Sequence, residues 1–158
     1  RPYYVESISF LTRPDGKRKS IDQLLAAGSD TKVSILQNVD AEDAVHKQLP
    51  KAQVLMLDTQ ANVIQALDSG RVDAAAVDLS TTRWLKKRRP DRYDDSGHRW
   101  FSMLYGAAVR QGDTDWLKYV DTVFDTAIYG HQNEIYDKAF FDFFAEEIPN
   151  RKAGFPPI

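Results

Sequence analysis

Asp78 is the side chain best placed for chemistry in this sequence. It follows the small apolar run Ala74-Ala75-Ala76-Val77 and closes it. A carboxylate at such a strand end is partly shielded from water, and it can hold an ammonium group through a charge-assisted hydrogen bond. The competing role is an N-cap for a helix beginning near Ser80, and periodicity alone favours capping. Asp40 carries the same ambiguity at the end of Leu36-Gln37-Asn38-Val39-Asp40, with capping again favoured. Backbone amides after Asn38 could cradle an anion at that helix start, but the Asp40 carboxylate would repel one. Leu36 and Val39 could supply an apolar wall, although core is the commoner fate of such residues. Asp73 lies an odd number of residues before Asp78. On a regular strand the two therefore point to opposite faces and form no carboxylate pair.

Other chemistries lack their equipment. His46, His98 and His131 are scattered without metal-ligand spacing, and surface or loop positions are expected for them. The absence of Cys excludes a thiol nucleophile, a disulfide framework and a Cys-based zinc site. No phosphate-binding glycine loop, nucleophile elbow or H-E-x-x-H pattern is present. The run Lys86-Lys87-Arg88-Arg89-Pro90-Asp91-Arg92 reads as a solvated helix C-terminus whose cations favour the dipole. A formal net charge of −2 argues against nucleic acid as the main partner, because phosphate backbones demand a basic surface. No cofactor is implied.

The elements that must position these acids follow from periodicity. The 158 residues are close to the roughly 150-residue prior for one domain. No apolar run approaches the ~20 residues that span a bilayer. The chain opens at Arg1-Pro2-Tyr3-Tyr4, without a Met and without a signal peptide. Strands are expected at Ile8–Leu11, Val33–Leu36, Val54–Leu57 and Ala74–Val77. Ser20-Ile21-Asp22-Gln23 has the form of a capping box. Further helices are expected after Asp40 as far as Leu49, through Ile64 and Leu67 to Gly70, and from Ser80 or Thr81. This alternation is the mark of βαβ units and a largely parallel sheet. In such a sheet ligands bind outside the carboxyl ends of the strands: Leu36 to Asp40, Asp58 to Gln60 and Val77 to Ser80.

The remainder divides simply. Residues 91–97 read as a polar loop, and Trp100 to Val109 as an extended run. Two amphipathic helices follow. In the first, from about Thr114 to Tyr129, residues Trp116, Leu117, Val120, Val123, Phe124, Ala127 and Ile128 share a face. In the second, from about Asn133 to Glu147, Ile135, Ala139, Phe140, Phe143 and Phe144 are expected inward. The Pro-containing tail is expected to be irregular.

The segment Ala66-Leu67-Asp68-Ser69-Gly70-Arg71-Val72-Asp73-Ala74-Ala75-Ala76-Val77-Asp78 resembles the L-x-x-G-R-V-D-A-x-x-x-D signature of family 3 bacterial extracellular solute-binding proteins. These are the polar amino-acid receptors of ABC importers. Pro2-Tyr3-Tyr4 resembles the start of their first hinge strand, and Ser20-Ile21-Asp22-Gln23-Leu24 resembles an S-x-x-D-L helix start. Val33-Ser34-Ile35-Leu36-Gln37 resembles their V-G-V-x-x-G-T strand end. Tyr105-Gly106-Ala107-Ala108-Val109-Arg110-Gln111-Gly112-Asp113 is similar to the return hinge strand Y-G-x-A-V-R-K-G-D. Gly130 with Glu134-Ile135-Tyr136-Asp137-Lys138-Ala139-Phe140 is similar to the closing G-x-x-x-x-I-Y-x-K-W-F.

The resemblance implies a type II periplasmic-binding-protein-like α/β fold that closes by a hinge on a ligand between two lobes. Residues 1–6 would be the entering hinge strand and residues 7–104 the second lobe, complete with a mostly parallel sheet flanked by helices. Residues 105–158 would be the return strand and C-terminal helices of a first lobe whose N-terminal portion is not in this sequence. That loss is expected to expose a large apolar face on those helices, completed by a missing segment, a second chain or a domain swap. Position by position, Asp78 matches the acid that binds the ligand's α-amino group, which now outweighs capping. Leu36, Val39 and Asp40 match pocket positions, with Asn38 in the same loop. Asn38-Val39-Asp40 replaces the family's G-T-T or G-T-S, losing a Gly and the hydroxyls that hold a ligand carboxylate. That change implies a more cationic or differently oriented ligand, or degenerate binding. The expected function is the substrate-binding component of an ABC importer, a non-enzyme in the periplasm or extracellular and membrane-associated. Its partners would be a small amino acid or amine and a membrane permease. The alternatives are a ligand-sensing domain of a receptor kinase or cell-wall enzyme and, less favoured, a dehydratase on the same fold.

Overall fold

The computed structural model describes residues 1–130 and 132–148. In chain order the elements are β1 (Pro2–Thr12), α1 (Ile21–Ala27), β2 (Lys32–Leu36), α2 (Ala41–His46), β3 (Gln53–Leu57) and α3 (Gln60–Asp68). They continue with β4 (Ala74–Asp78), α4 (Leu79–Arg88), β5 (Asp94–Gly106), α5 (Thr114–Ala127) and α6 (Asn133–Phe144). The five strands form one sheet in the order β3-β2-β4-β1-β5. β2 is parallel to β3 and β4, whereas β1 runs antiparallel to β4. The sheet is therefore mixed and mostly parallel in its α/β portion, with helices on both faces. The chain divides into two compact units, one of Arg1–Glu6 with Ser102–Ile158 and the other of Ser7–Phe101.

In the unit Ser7–Phe101, alternation along each strand builds two apolar layers. Phe10, Val33, Ile35, Ala74 and Ala76 face Leu24 of α1 and Val45 of α2. Leu11, Ala75 and Val77, the alternate residues, face Val63, Ala66 and Leu67 of α3. Period-two side-chain direction thus sends neighbours in one strand to opposite layers. Small residues along β4 let helices approach from both sides. Ser34 faces the α3 layer and survives burial because its hydroxyl donates to the Val63 carbonyl at 2.9 Å. The expected capping box is present: Ser20 Oγ accepts from the Gln23 amide, and Gln23 Oε1 accepts from the Ser20 amide.

Several expectations are corrected. Residues 94–97, read as loop, open β5, because their polar side chains find partners within the fold. Asp94 pairs with Lys86 at 2.8 Å, and Ser9 Oγ donates to Asp95 at 2.8 Å. His98 likewise lies within β5, stacked on Phe10 and 2.9 Å from the Gln48 side-chain oxygen. α2 stops at His46 rather than Leu49, although Leu49 is buried.

In the unit of Arg1–Glu6 and Ser102 onward, Tyr129 and Tyr136 donate to the carbonyls of Pro2 and Tyr3 at 2.7 and 2.9 Å. The Tyr3 ring packs on Phe124. The inward faces expected for its helices are only partly covered: Ile128 and Phe140 are buried, and Val120, Phe124, Ala127 and Phe144 are half-buried. No residue of α5 is buried, and Phe140 alone is buried in α6. Trp116, Leu117, Val123, Ile135 and Phe143 are all more than two-fifths exposed. The amphipathic pattern is real, but among the described residues little packs against it. Gln132 ends the turn before α6, whereas His131 and the Pro-rich tail lie outside the described residues.

Candidate functional site

Because β2, β3 and β4 are parallel, their carboxyl ends reach one edge of the sheet. Leu36, Leu57 and Asp78 end these strands. β1, running the other way, places Ile8 opposite Asp78 in the register. A depression of about 170 Å³ opens there. Its polar lining is Asn38, Gln60 and Asp78, and its apolar wall includes Ile8, Leu36 and Val77.

Each polar group is held by local chemistry. Asp78 ends a strand whose other four residues are all buried, and is itself half-buried. It occupies the N-cap position of α4, yet its side chain makes no capping hydrogen bond. The reading that competed with ligand binding is thus not realised. Asn38 folds the β2–α2 loop back on itself: its side-chain oxygen accepts from the Asp40 amide at 3.0 Å. Gln60 donates to Thr81 Oγ1 at 3.1 Å, which ties the start of α3 to α4. Thr59 is the true cap of α3, accepting from the Asn62 amide at 3.1 Å.

The sequence-derived set is divided by the structure. Leu36, Asn38 and Asp78 line the depression, whereas Val39 and Asp40 do not. Val39 is fully exposed at 101%, and Asp40 is exposed at the N-cap of α2 without capping it. Ile8 and Gln60 were not singled out from sequence. Ile8 becomes a neighbour of Asp78 only through antiparallel pairing, and no local pattern encodes that. Gln60 carried a weak signal, since it follows the third strand at the edge where ligands bind.

The strand-end segments at this edge carry acids only. Residues 36–40, 57–60 and 78–81 contain Asp40, Asp58 and Asp78 and no Lys or Arg. Asp58 accepts from the Asn62 side chain at 2.8 Å and so stays at the edge. Among the described residues no cluster of three or more His, Cys, Asp or Glu is arranged to hold a metal ion. The basic run is the solvated helix end expected: Arg92 pairs with Asp68 at 3.0 Å, and Arg88 lies over the Trp84 ring. No described helix is long and apolar enough to cross a membrane.

Comparison with known proteins places these features. No protein-family model matches the chain. The L-glutamate/L-aspartate-binding protein of Pseudomonas aeruginosa is 38% identical over 77 residues, which is 47% of this chain and 26% of that protein. An ancestral cationic amino acid solute-binding protein superposes with a TM-score of 0.71 at 26% identity, covering 90% of this chain and 60% of that one. A binding component of an ABC transporter from Wolinella succinogenes, complexed with lysine, superposes with a TM-score of 0.66 at 20% identity. It covers 92% of this chain and 61% of that one, and at that identity the likeness is one of fold. The chain therefore spans about a quarter of the curated relative in alignment and about three-fifths of the solved structures. In sequence over part of its length, and in fold over most of it, the chain is similar to solute-binding proteins that take amino acids.

Proposed function

We propose that the chain is the substrate-binding component of an ABC importer, taking a cationic amino acid or a related amine and passing it to a membrane permease from the periplasm or cell exterior. In this reading Asp78 accepts the ligand's ammonium group, Leu36 and Ile8 supply apolar contact, and Asn38 and Gln60 supply polar contact. Asp40 and Val39 lie on the same loop as Asn38 and meet the ligand from outside the depression. The observation that carries the reading is a half-buried carboxylate, Asp78, inside a concavity where strand-end segments 36–40, 57–60 and 78–81 contain three acids and no Lys or Arg. A cationic solute is favoured there over the glutamate or aspartate named for the curated relative. It agrees with the cationic amino acid named for the ancestral protein. Binding is favoured over turnover because His46 and His98 are engaged elsewhere, at the Ala52 carbonyl and at Gln48.

Isothermal calorimetry on the complete protein, with arginine, lysine, glutamine and glutamate, tests the reading. Arginine or lysine should bind and glutamate should not. Asp78→Asn should weaken that binding by about 1.5–3 kcal/mol, as loss of a charged hydrogen bond requires. Preferred binding of glutamate, or unchanged affinity in Asp78→Asn, would overturn it.

A further inference from the structure

A second concavity, about 420 Å³, lies at the opposite edge of the same sheet, where β2 and β4 begin. It is bounded by the turn after β1 and the turn between α3 and β4. Five cations line it: Arg13, Lys17, Arg18, Lys32 and Arg71. We propose that this crevice binds a multivalent oxyanion of the phosphate type, either free or borne by a larger molecule. The proposal goes beyond the amine site and does not depend on it.

Two of the cations are held in position. Arg13 is gripped through Nε by Asp15 at 2.9 Å, and its Nη1 donates to the Asp68 carbonyl at 3.1 Å. Arg18 donates to Asp73 at 2.7 Å and to the Asp30 carbonyl at 3.2 Å. Asp73 is fixed in turn by the Lys32 amide at 2.9 Å. Both guanidinium side chains are less than a third exposed, at 29% and 21%. A guanidinium has five N–H donors, so each retains donors after these bonds. Fixed arginines with spare planar donors suit a polyvalent oxygen anion, because little ordering cost remains on binding.

The other cations supply the charge. Lys17, Lys32 and Arg71 make no side-chain hydrogen bond or ion pair among the described residues, and all three are exposed. Asp15 and Asp73 are already matched by Arg13 and Arg18, which leaves Asp30 as the remaining acid of the lining. The crevice therefore carries two positive charges in excess, in a chain whose overall formal charge is −2. Gly70 turns the chain at its rim at φ 72, left-handed backbone that glycine adopts freely. A doubly charged tetrahedral oxyanion matches both the excess and the spread of donors. A single carboxylate would leave much of either unused.

Titration of the protein with inorganic phosphate at constant ionic strength, followed by backbone amide signals, tests this. Saturable shifts should be confined to the segments around residues 13–18, 30–32 and 70–73. The double variant Lys17→Gln/Arg71→Gln, which removes two exposed side chains and no core contact, should bind at least about tenfold more weakly. Lys47→Gln, an exposed cation outside the crevice, should bind as the parent does. Absence of saturable shifts, shifts spread over cations throughout the surface, or unchanged affinity in the double variant would each overturn the proposal. Co-sedimentation with phosphatidylglycerol vesicles, against phosphatidylcholine vesicles, then distinguishes the sources. Pelleting that phosphate competes away assigns a lipid headgroup, whereas phosphate binding without pelleting assigns a soluble phosphate.

Discussion

Asp40 and Asp78 both stand where a helix would be capped, and neither side chain caps. Thr59 and Ser20 show what capping looks like in the same fold, each accepting from an amide of the first turn. This contrast makes a prediction about Asp40, whose side chain is exposed. Asp40→Asn should leave the thermal midpoint nearly unchanged, since no cap bond is lost, yet it should weaken a cationic solute relative to a neutral one. Calorimetry with lysine and glutamine, beside a melting curve, checks both halves. A second prediction concerns Asp94. Burial alone would raise its pKa, but the hydrogen bond from Lys86, the Asp95 amide and the nearby Lys charges together hold it below its ordinary value. A depressed carboxylate contributes stability above its unfolded pKa and loses it as pH falls through the folded one. Removing the partner in Lys86→Gln should raise the Asp94 pKa, read by carboxyl NMR titration. The acid limb of unfolding should move toward higher pH in that variant.

At the scale of elements, Phe101 is the conformational exception. It sits within β5 at φ 54, left-handed backbone that a bulky residue adopts at a cost, and its side chain is 64% exposed. Phe101→Gly should relieve about 1 kcal/mol of strain while losing little packing. Denaturant unfolding measures this, and a clear loss of stability would contradict it. Ser20→Ala should cost about 1 kcal/mol, because it removes one arm of the capping box. The four strands of the α/β portion, the capping box of α1 and the closing of α3 near Gly70 were legible because their signals are local: short apolar runs, a Ser with a Gln three residues on, a Gly. The opening of β5 was not, although Trp100 onward read as extended, since Asp94 and Asp95 are polar and become strand residues through Lys86 of α4 and the distant Ser9. The helical periods of α5 and α6 were equally legible, but the periodicity states which side is apolar without stating what covers it.

Across the unit Ser7–Phe101, the balance of charge differs by sheet edge. The strand-end segments 36–40, 57–60 and 78–81 hold three acids and no Lys or Arg, whereas the crevice where β2 and β4 begin sets five cations against three acids. Such a field attracts a cationic solute toward the acidic edge. The association rate of lysine or arginine should therefore fall as salt rises, whereas dissociation changes little; stopped-flow measurement at several ionic strengths checks this. In the other unit, α5 and α6 leave Trp116, Leu117, Ile135 and Phe143 exposed, and exposed apolar side chains on adjoining helices favour association. The chain studied by itself should self-associate through it. Leu117→Glu with Phe143→Glu should shift sedimentation toward monomer without loss of helical circular dichroism.

Local pattern was enough for the α/β class, for most strand and helix positions, and for Asp78 as the acid closing a buried strand, because each depends on neighbours a few residues apart. Pairing of distant segments accounts for the rest. Antiparallel β1 brings Ile8 beside Asp78, parallel β2, β3 and β4 gather three acids at one edge, and the turn after β1, the start of β2 and the turn before β4 gather five cations at the other. Those groupings join residues tens of positions apart, and hydrogen-bonded register, rather than periodicity, sets which of them meet.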